Sequence, residues 1–391
     1  MSSPIKIKGK RKSLVDFFDD LEITPSSSVT PSSPKKRAKM AQGLRDSISK
    51  AWPPQSNKSM EQMSMTIRAD DVYRQYARDQ DPKQLFEKAT NWIMAVQTTA
   101  LDNDQQDLVA NEIQETMVRA IFGSNMIERA GLGWDITVQL CRKIFAGEDI
   151  GVISERDISY QQVLLDLYRQ EPSLRELSSQ YVLRGRNEII QHAKAFQYLI
   201  YAFVVEKEDL TEELIKMVHK ILTKGVPIIE PNMPDVPPEK YGGIYRTVIV
   251  GAGTTNFTVP HFIPAKMKEM CNNLMQDLEA AEDQNTIDPF SIAAKYSLEF
   301  VSIHPFQDGN GRLCRMILNA ILCRYAGIII PIGEQGEERD EYMRIKKRAS
   351  QQMEGHGEYA TFVLQRAVTR LRELKKKLAG KGKGKAKSND K

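Results

Sequence analysis

His304-Pro-Phe-Gln-Asp-Gly-Asn-Gly-Arg312, followed three residues later by Arg315, is the stretch on which the reading of this chain turns. Pro305 drives the residue before it away from the α region, so the helix carrying Phe290, Ala293, Ala294, Leu298 and Val301 on one stripe should run out at His304. Gly309 and Gly311 let the chain turn sharply and let backbone N–H groups approach an anion closely. Leu313, Ile317, Ala320 and Ile321 then give a new helix an apolar face. The loop therefore lies at a helix N-terminus, where unpaired N–H groups and the macrodipole favour negative charge. Arg312, Arg315 and Asn319 fall at i, i+3 and i+7 on a separate polar stripe. Two guanidiniums facing one anion site suit a polyphosphate better than a single carboxylate. Asp308 among so many donors is explained by a cation between it and the anion. Mg²⁺ held through one carboxylate and phosphate oxygens is the usual arrangement, and it implies a metal-bound nucleotide. His304 titrates near neutrality and can take a proton from an attacking hydroxyl while the ion and the arginines stabilise the transferring group.

Working outward, Asp288-Pro289 supplies a cap and a first-turn proline for the helix that ends at His304, and a further helix covers Met267 to Leu278. Before it, Tyr241-Gly-Gly-Ile-Tyr-Arg-Thr-Val-Ile-Val250 is rich in β-branched and aromatic residues. With a turn at Gly251 to Asn256 and a return over Phe257 to Val259, stopped by Pro260, it predicts one β-hairpin. Helical spacing holds for Glu188 to Val205 and for Leu214, Val218, Ile221 and Leu222, the latter opened by Asp209 and Glu212 as a capping pair. From Ile67 to Phe145 the apolar residues Leu85, Trp92, Ile93, Val96, Ile113, Met117 and Ile121 again recur at helical spacing. The expected class is all-α, a helical core with one β-hairpin, preceded by an N-terminal helical region.

Bulk properties fit that picture. A chain of 391 residues with 41% hydrophobic and 27% charged residues has the balance of a soluble globular protein. Its longest apolar run, Ala195 to Val205, is about half of the roughly 20 residues needed to cross a bilayer and predicts a buried helix segment. No apolar stretch of a secretory signal follows the basic N-terminus, so the expected location is the nucleus, the cytoplasm or both. Cys141, Cys271, Cys314 and Cys323 form no C-x-x-C pair, which argues against a zinc site and a disulfide framework. The net charge of +4 is concentrated in basic tails, Lys6 to Lys12 and Lys35 to Lys39 at one end and Lys375 to Lys391 at the other. Residues 1–60, rich in Ser, Pro and Lys, should be disordered. Within them Leu14-Val-Asp-Phe-Phe18 is either a docking peptide or nothing, and Ser33-Pro-Lys-Lys-Arg-Ala-Lys39 is either a nuclear localisation signal or a solubilising tail.

The nine residues His304 to Arg312, with Arg315, resemble the signature of the Fic (filamentation induced by cyclic AMP) domain family at every position. The likeness extends from about Glu188, through Leu214-Ile-Lys-Met-Val-His219 and the hairpin with Gly243 to Arg246, to about Arg370. It implies a helical fold with a hairpin flap and the transfer of AMP from ATP to a Ser, Thr or Tyr hydroxyl of a target protein. It also implies self-modification, and homodimers such as relatives often form. The domains would be a tail at 1–60, an N-terminal helical region at 61–187, a catalytic domain at 188–370 and a Lys/Gly-rich tail at 371–391. By this resemblance His304 is the general base, Phe306 a core anchor for the loop and Asp308 the Mg²⁺ ligand. Gly309, Asn310 and Gly311 form the anion nest, and Arg312 and Arg315 hold the nucleotide phosphates. The flap residues Ile244, Tyr245, Arg246, Thr247 and Val248 would align the target by strand addition. Tyr342 is either a nucleotide-pocket tyrosine or a packing residue.

Many Fic proteins carry an inhibitory helix with Ser or Thr, three residues, Glu, and then Gly or Asn. Ser124-Asn-Met-Ile-Glu128 resembles it, with Arg129 where Gly or Asn is usual. A glutamate delivered to Arg315 would occupy the guanidinium that a γ-phosphate needs. Otherwise Glu128 is a surface residue at the end of a helix. Three further readings stay open. The same site could remove AMP, it could use another donor such as UMP or phosphocholine, or the fold could serve as a nuclear adaptor that binds nucleotide. The tails lack aromatic residues between their lysines, which disfavours nucleic acid as a partner.

Overall fold

A computed structural model describes residues 64–68, 72–75, 80–98, 103–230, 233–252, 255–351 and 355–386. The expected disordered tail, with the segments at 14–18 and 33–39, lies outside the described residues. In chain order the elements are β1 (Ser64–Met65), α1 (Pro82–Thr98), α2 (Asn103–Ile127), α3 (Trp134–Phe145), α4 (Tyr160–Gln170), α5 (Ser179–Leu199) and α6 (Glu212–Thr223). They continue with β2 (Gly251–Ala252), β3 (Thr255–Asn256), α7 (Ile263–Asp283), β4 (Thr286–Ile287), α8 (Pro289–Ile303), α9 (Asn310–Ala326), α10 (Gly336–Gln351) and α11 (Gly357–Ala386). The all-α expectation holds. Among the described residues no helix is long and apolar enough to cross a membrane.

The centre of the fold is the pair α8 and α9, joined by the loop at 304–309. Asp288 caps α8 as its position before Pro289 predicted, accepting from the Ser291 N–H at 3.0 Å. It also accepts from Tyr73 Oη at 2.7 Å. Helix α9 is buried on all sides, its arginines included, so the separate polar stripe expected for Arg312, Arg315 and Asn319 does not face solvent. Asn319 is structural: its amide donates to the carbonyls of Arg315 and Ile330, and its Oδ1 accepts from the Ile330 N–H at 2.7 Å.

The helix foreseen from Glu188 begins earlier, at Ser179, and passes into one π-helical turn at Ile200–Val205. The next helix is capped by Thr211, which accepts from the Leu214 N–H at 3.2 Å, and not by the Asp209–Glu212 pair. All four cysteines are unpaired and buried.

One expectation needs correction, and two features were not foreseen. The hairpin is shorter than predicted: Gly251 pairs with Asn256 and Ala252 with Thr255, so its strands occupy the expected turn. The longer ladder does not form because the buried Arg246 guanidinium takes the carbonyls of Val248, at 2.9 Å, and Thr258, at 2.6 Å, one from each arm. A second, parallel pairing joins Ser64 to Thr286 and Met65 to Ile287, a contact across the chain that local sequence does not announce. Helix α11 continues through Lys375 to Ala386, so the boundary drawn at 370 falls inside a helix. Its extension is held by α2, where Glu112 accepts from Arg370 at 3.0 Å and from Lys377 at 2.6 Å.

Candidate active site

Helix α8 ends at His304, which adopts the left-handed conformation with φ 53°. That turns the imidazole away from the helix axis and costs a non-glycine residue about 1–2 kcal/mol. The loop beyond is braced from within. Asn310 Oδ1 accepts from the Phe306 N–H at 3.0 Å, and its Nδ2 donates to the Phe306 carbonyl at 2.8 Å. Gly309, at φ 79°, makes the left-handed step that opens α9. Phe306 is fully buried, as expected of an anchor, and stacks on His219 at 3.7 Å between ring centroids.

His219 is a site residue that sequence reasoning passed over. Its Nδ1 accepts from the Gly243 N–H at 2.8 Å, which leaves the proton on Nε2 to bond the Asp308 carbonyl at 2.9 Å. Burial lowers its pKa to about 4, so this neutral tautomer persists at ordinary pH. One imidazole thus fastens the flap root to the peptide of Asp308.

His304 is prepared in a similar way. Its Nδ1 lies 3.2 Å from the Val301 carbonyl, which can only accept, so Nε2 is left without a proton and free to take one. Burial brings its pKa down to about 4. The Phe257 ring stacks on the imidazole at 3.7 Å, from the return arm of the flap. Arg246, foreseen as a target-contacting residue, points inward: its Nε donates to the His304 carbonyl at 2.6 Å and its N–H to the Pro305 carbonyl at 2.9 Å. Tyr245 also turns inward, bonding Glu212 at 2.7 Å. Ile244, Thr247 and Val248 remain exposed along the outer edge.

On the anion side, Arg312 Nη2 lies 3.2 Å from Asp308 Oδ2, while its Nε and Nη1 are buried without a hydrogen-bond partner. Asp308 Oδ1 accepts from the Gly309 N–H at 2.6 Å. Burial works to raise the Asp308 pKa, yet Arg312, that N–H and Arg184 hold it below the usual carboxylate value. Glu188, also unforeseen, accepts from the Gly131 N–H at 2.8 Å and approaches Arg184 at 3.3 Å.

Glu128 reaches the centre of this arrangement. Arg315 Nη2 donates to Glu128 Oε1 at 2.6 Å, Nε donates to Ser124 Oγ at 2.8 Å, and Nη1 lies 3.4 Å from Tyr342 Oη. A Cβ at Gly311 would lie 2.0 Å from Glu128 Oε1, so the glycine leaves the room that the carboxylate fills. The carboxylate therefore sits in the cradle at the N-terminus of α9. Burial pushes its pKa up, but Arg315 and Arg312 outweigh that and hold it below the usual value. The backbone pays at Arg129, left-handed at φ 54°, the position where Gly or Asn would relax.

The residues fit a metal-bound polyphosphate. Two Arg312 donors without a hydrogen bond, one of them 3.7 Å from Glu188, a glycine cradle already holding a carboxylate, and an Asp308 side chain 33% exposed share one space. Among the described residues no group of three or more His, Cys, Asp or Glu could hold a metal ion. A cation at this site would therefore rest on Asp308 and on the phosphates. Tyr342 is packed in the interior with 1% exposure, its hydroxyl toward Arg315.

Residues 209–322 match the Fic/DOC family. Among curated relatives, a protein adenylyltransferase fic-1 of Caenorhabditis elegans is 27% identical over 164 residues, 41% of this chain and 28% of that protein. A protein adenylyltransferase Fic of Nematostella vectensis is 28% identical over 189 residues, 48% of this chain and 38% of that protein. A Fido domain-containing protein of Dictyostelium discoideum is 34% identical over 107 residues, 27% of this chain and 72% of that protein. The chain thus spans well under half the length of these two adenylyltransferases. Of solved structures, a Fic domain containing signaling protein from Bacteroides thetaiotaomicron aligns with a TM-score of 0.52 at 20% identity, covering 76% of this chain and 97% of that one. Fic-1 from C. elegans aligns with a TM-score of 0.50 at 19% identity, covering 75% of this chain and 70% of that one. At such identities the structures speak to fold alone.

Proposed function

Because the chain belongs to the Fic/DOC family, we propose that it transfers AMP from ATP to a Ser, Thr or Tyr hydroxyl of a target protein, and that Glu128 holds this activity in check. The observation that carries the reading is the pairing of a neutral His304, with Nε2 free, and a glycine cradle in which Glu128 already occupies an anion's place.

In the proposed reaction the target hydroxyl oxygen attacks the α-phosphorus of ATP as its proton passes to His304 Nε2. The bond from phosphorus to the pyrophosphate oxygen breaks, and pyrophosphate leaves. Arg312 and Arg315 neutralise the charge that gathers on the outer phosphates. A Mg²⁺ held at Asp308 would add Lewis-acid stabilisation of the phosphate oxygens. His304 keeps its orientation through Val301 and Phe257, and the loop keeps its shape through Asn310 and His219. The exposed edge at Ile244, Thr247 and Val248 can add a target strand without using side-chain identity.

Glu128 opposes the first step by competition. While its carboxylate holds Arg315 Nη2, a γ-phosphate has neither the guanidinium nor the cradle, and ATP cannot settle in line with the hydroxyl. The decisive test is incubation with α-labelled ATP and Mg²⁺ of wild type, Glu128→Gly, and Glu128→Gly with His304→Ala. Self-labelling should be strong in the single variant, weak in wild type and absent in the double. Labelling that survives loss of His304 would overturn the base assignment, and equal labelling in wild type and Glu128→Gly would overturn the brake.

A further inference from the structure

Arg315 has partners on two sides of its guanidinium. Ser124 and Glu128 hold one side, and the Tyr342 hydroxyl holds the other. When Glu128 leaves, Ser124 still holds Nε and Nη2, and the placement of Nη1 falls to Tyr342. A phenol hydroxyl is a rotor that can donate or accept, so by itself it is a weak guide for a guanidinium. Lys346, one turn further along α10, removes that freedom. Its Nζ lies 3.2 Å from Tyr342 Oη and 3.4 Å from Cys314 Sγ. An ammonium only donates, and so does a guanidinium. The phenol oxygen must then accept from both, which fixes its lone pairs toward Arg315 Nη1. Lys346 also grips the neighbouring turn, since Cys314 in turn donates to the Ser297 carbonyl of α8 at 3.1 Å. The ammonium remains charged: burial works against it, but Cys314 and Tyr342 hold its pKa above the ordinary value.

We propose that Lys346 is a positioning residue that, through the Tyr342 hydroxyl, holds the Arg315 guanidinium ready for the outer phosphates of ATP once Glu128 has withdrawn. The inference rests on the function proposed above for Arg315. It assigns Tyr342 a place behind the arginine, in the packed interior with Tyr359 and Phe362 at 6.0 Å each.

The test uses a Glu128→Gly parent carrying Lys346→Met, Lys346→Gln, Tyr342→Phe, or Lys346→Met with Tyr342→Phe. ATP and AMP binding are measured by calorimetry, AMP transfer by steady-state kinetics, and folding by thermal melting. Lys346→Met should weaken ATP binding and raise KM for ATP by about tenfold, the scale of one charge-assisted hydrogen bond, while kcat falls less than about threefold. AMP, which lacks the outer phosphates, should bind as in the parent. Lys346→Gln, which keeps a donor, should recover part of the loss. The paired change should be no worse than Tyr342→Phe alone, because both act on one path. Additive losses, an equal loss of AMP binding, or unchanged ATP binding would each overturn the proposal. If the parent transfers no AMP, the reading of function fails separately, and the same cycle is still decided on ATP binding.

Discussion

Replacing Glu128 by glycine should destabilise the nucleotide-free protein and enlarge its response to ATP. The Arg315 side chain is 4% exposed, and among the described residues Glu128 is the carboxylate it pairs with. Removing one partner of a fully buried ion pair costs about 3–5 kcal/mol, because the other charge stays desolvated. Two features lower that figure here. The Glu128 side chain is 35% exposed, so solvent screens the pair, and Ser124 and Tyr342 continue to offer neutral acceptors. The expected loss is about 1–3 kcal/mol. With about 2.1 cal/mol/K of unfolding entropy per residue, each kcal/mol moves the melting temperature of a chain this long by about 1–2 °C, so the apo variant should melt roughly 1–6 °C lower.

ATP reverses the order. Its outer phosphates give Arg315 a new anion in the variant without first breaking the old pair, and a ligand at a hundred times its Kd adds about 2.7 kcal/mol. Scanning calorimetry of wild type, Glu128→Gln and Glu128→Gly, each with and without ATP and Mg²⁺, measures both halves. The glutamine variant keeps the side chain without its charge and separates the electrostatic loss from the added backbone freedom of glycine. Equal melting temperatures without nucleotide, together with equal shifts on adding ATP, would refute the claim that Glu128 and a phosphate compete for Arg315.

Arg129→Gly should do the opposite: relieving the left-handed strain at φ 54° by about 1 kcal/mol should raise the melting temperature by about 1–2 °C and deepen inhibition, read as weaker self-labelling than wild type. Acid should also act through the histidines. His219 has a folded pKa of about 4 against an ordinary 6.5, so the unfolded chain binds more protons between those values, and stability present above pH 6.5 is lost as pH falls toward 4. For this fully buried ring the loss is on the order of 3 kcal/mol, visible as a falling melting temperature over that range in wild type and a shallower fall in His219→Gln. Transfer by Glu128→Gly, relying on neutral His304, should keep its kcat from about pH 8 down to about pH 5 and fall to half near pH 4.

Much of the site was legible because its residues are close in sequence and each carries local physics. The proline, the two glycines and the apolar period after Arg312 dictate a helix, a turn and a helix whatever surrounds them. Glu128 was reachable only by resemblance, since nothing within residues 124–128 says that the carboxylate will lie against Arg315, 187 positions away. His219, Glu188 and Lys346 were invisible for the same reason. A histidine, a glutamate and a lysine on helices are ordinary until tertiary packing places them beside Asp308, Arg184 and Tyr342. The hairpin failed differently. Its β-rich composition was real, but Arg246 satisfied the carbonyls that a ladder would have used, and a side chain doing backbone work leaves no period in the sequence.

The burial of α9 links these failures to the mechanism. A helix whose arginines faced water would bind phosphate with mobile, screened charges, and a competing glutamate would gain little by pairing with them. Arg312 and Arg315 are instead held in the core at 2% and 4% exposure, where an unpaired cation is costly. The site therefore favours having an anion present at all times. Glu128 supplies one from within the chain, and a polyphosphate can replace it only by offering more than one contact. In the proposed function, inhibition and catalysis are two solutions of one electrostatic requirement. It follows that substitutions which expose Arg315 to solvent, such as a small residue in place of the buried Tyr342, should weaken the grip of Glu128 and of ATP together.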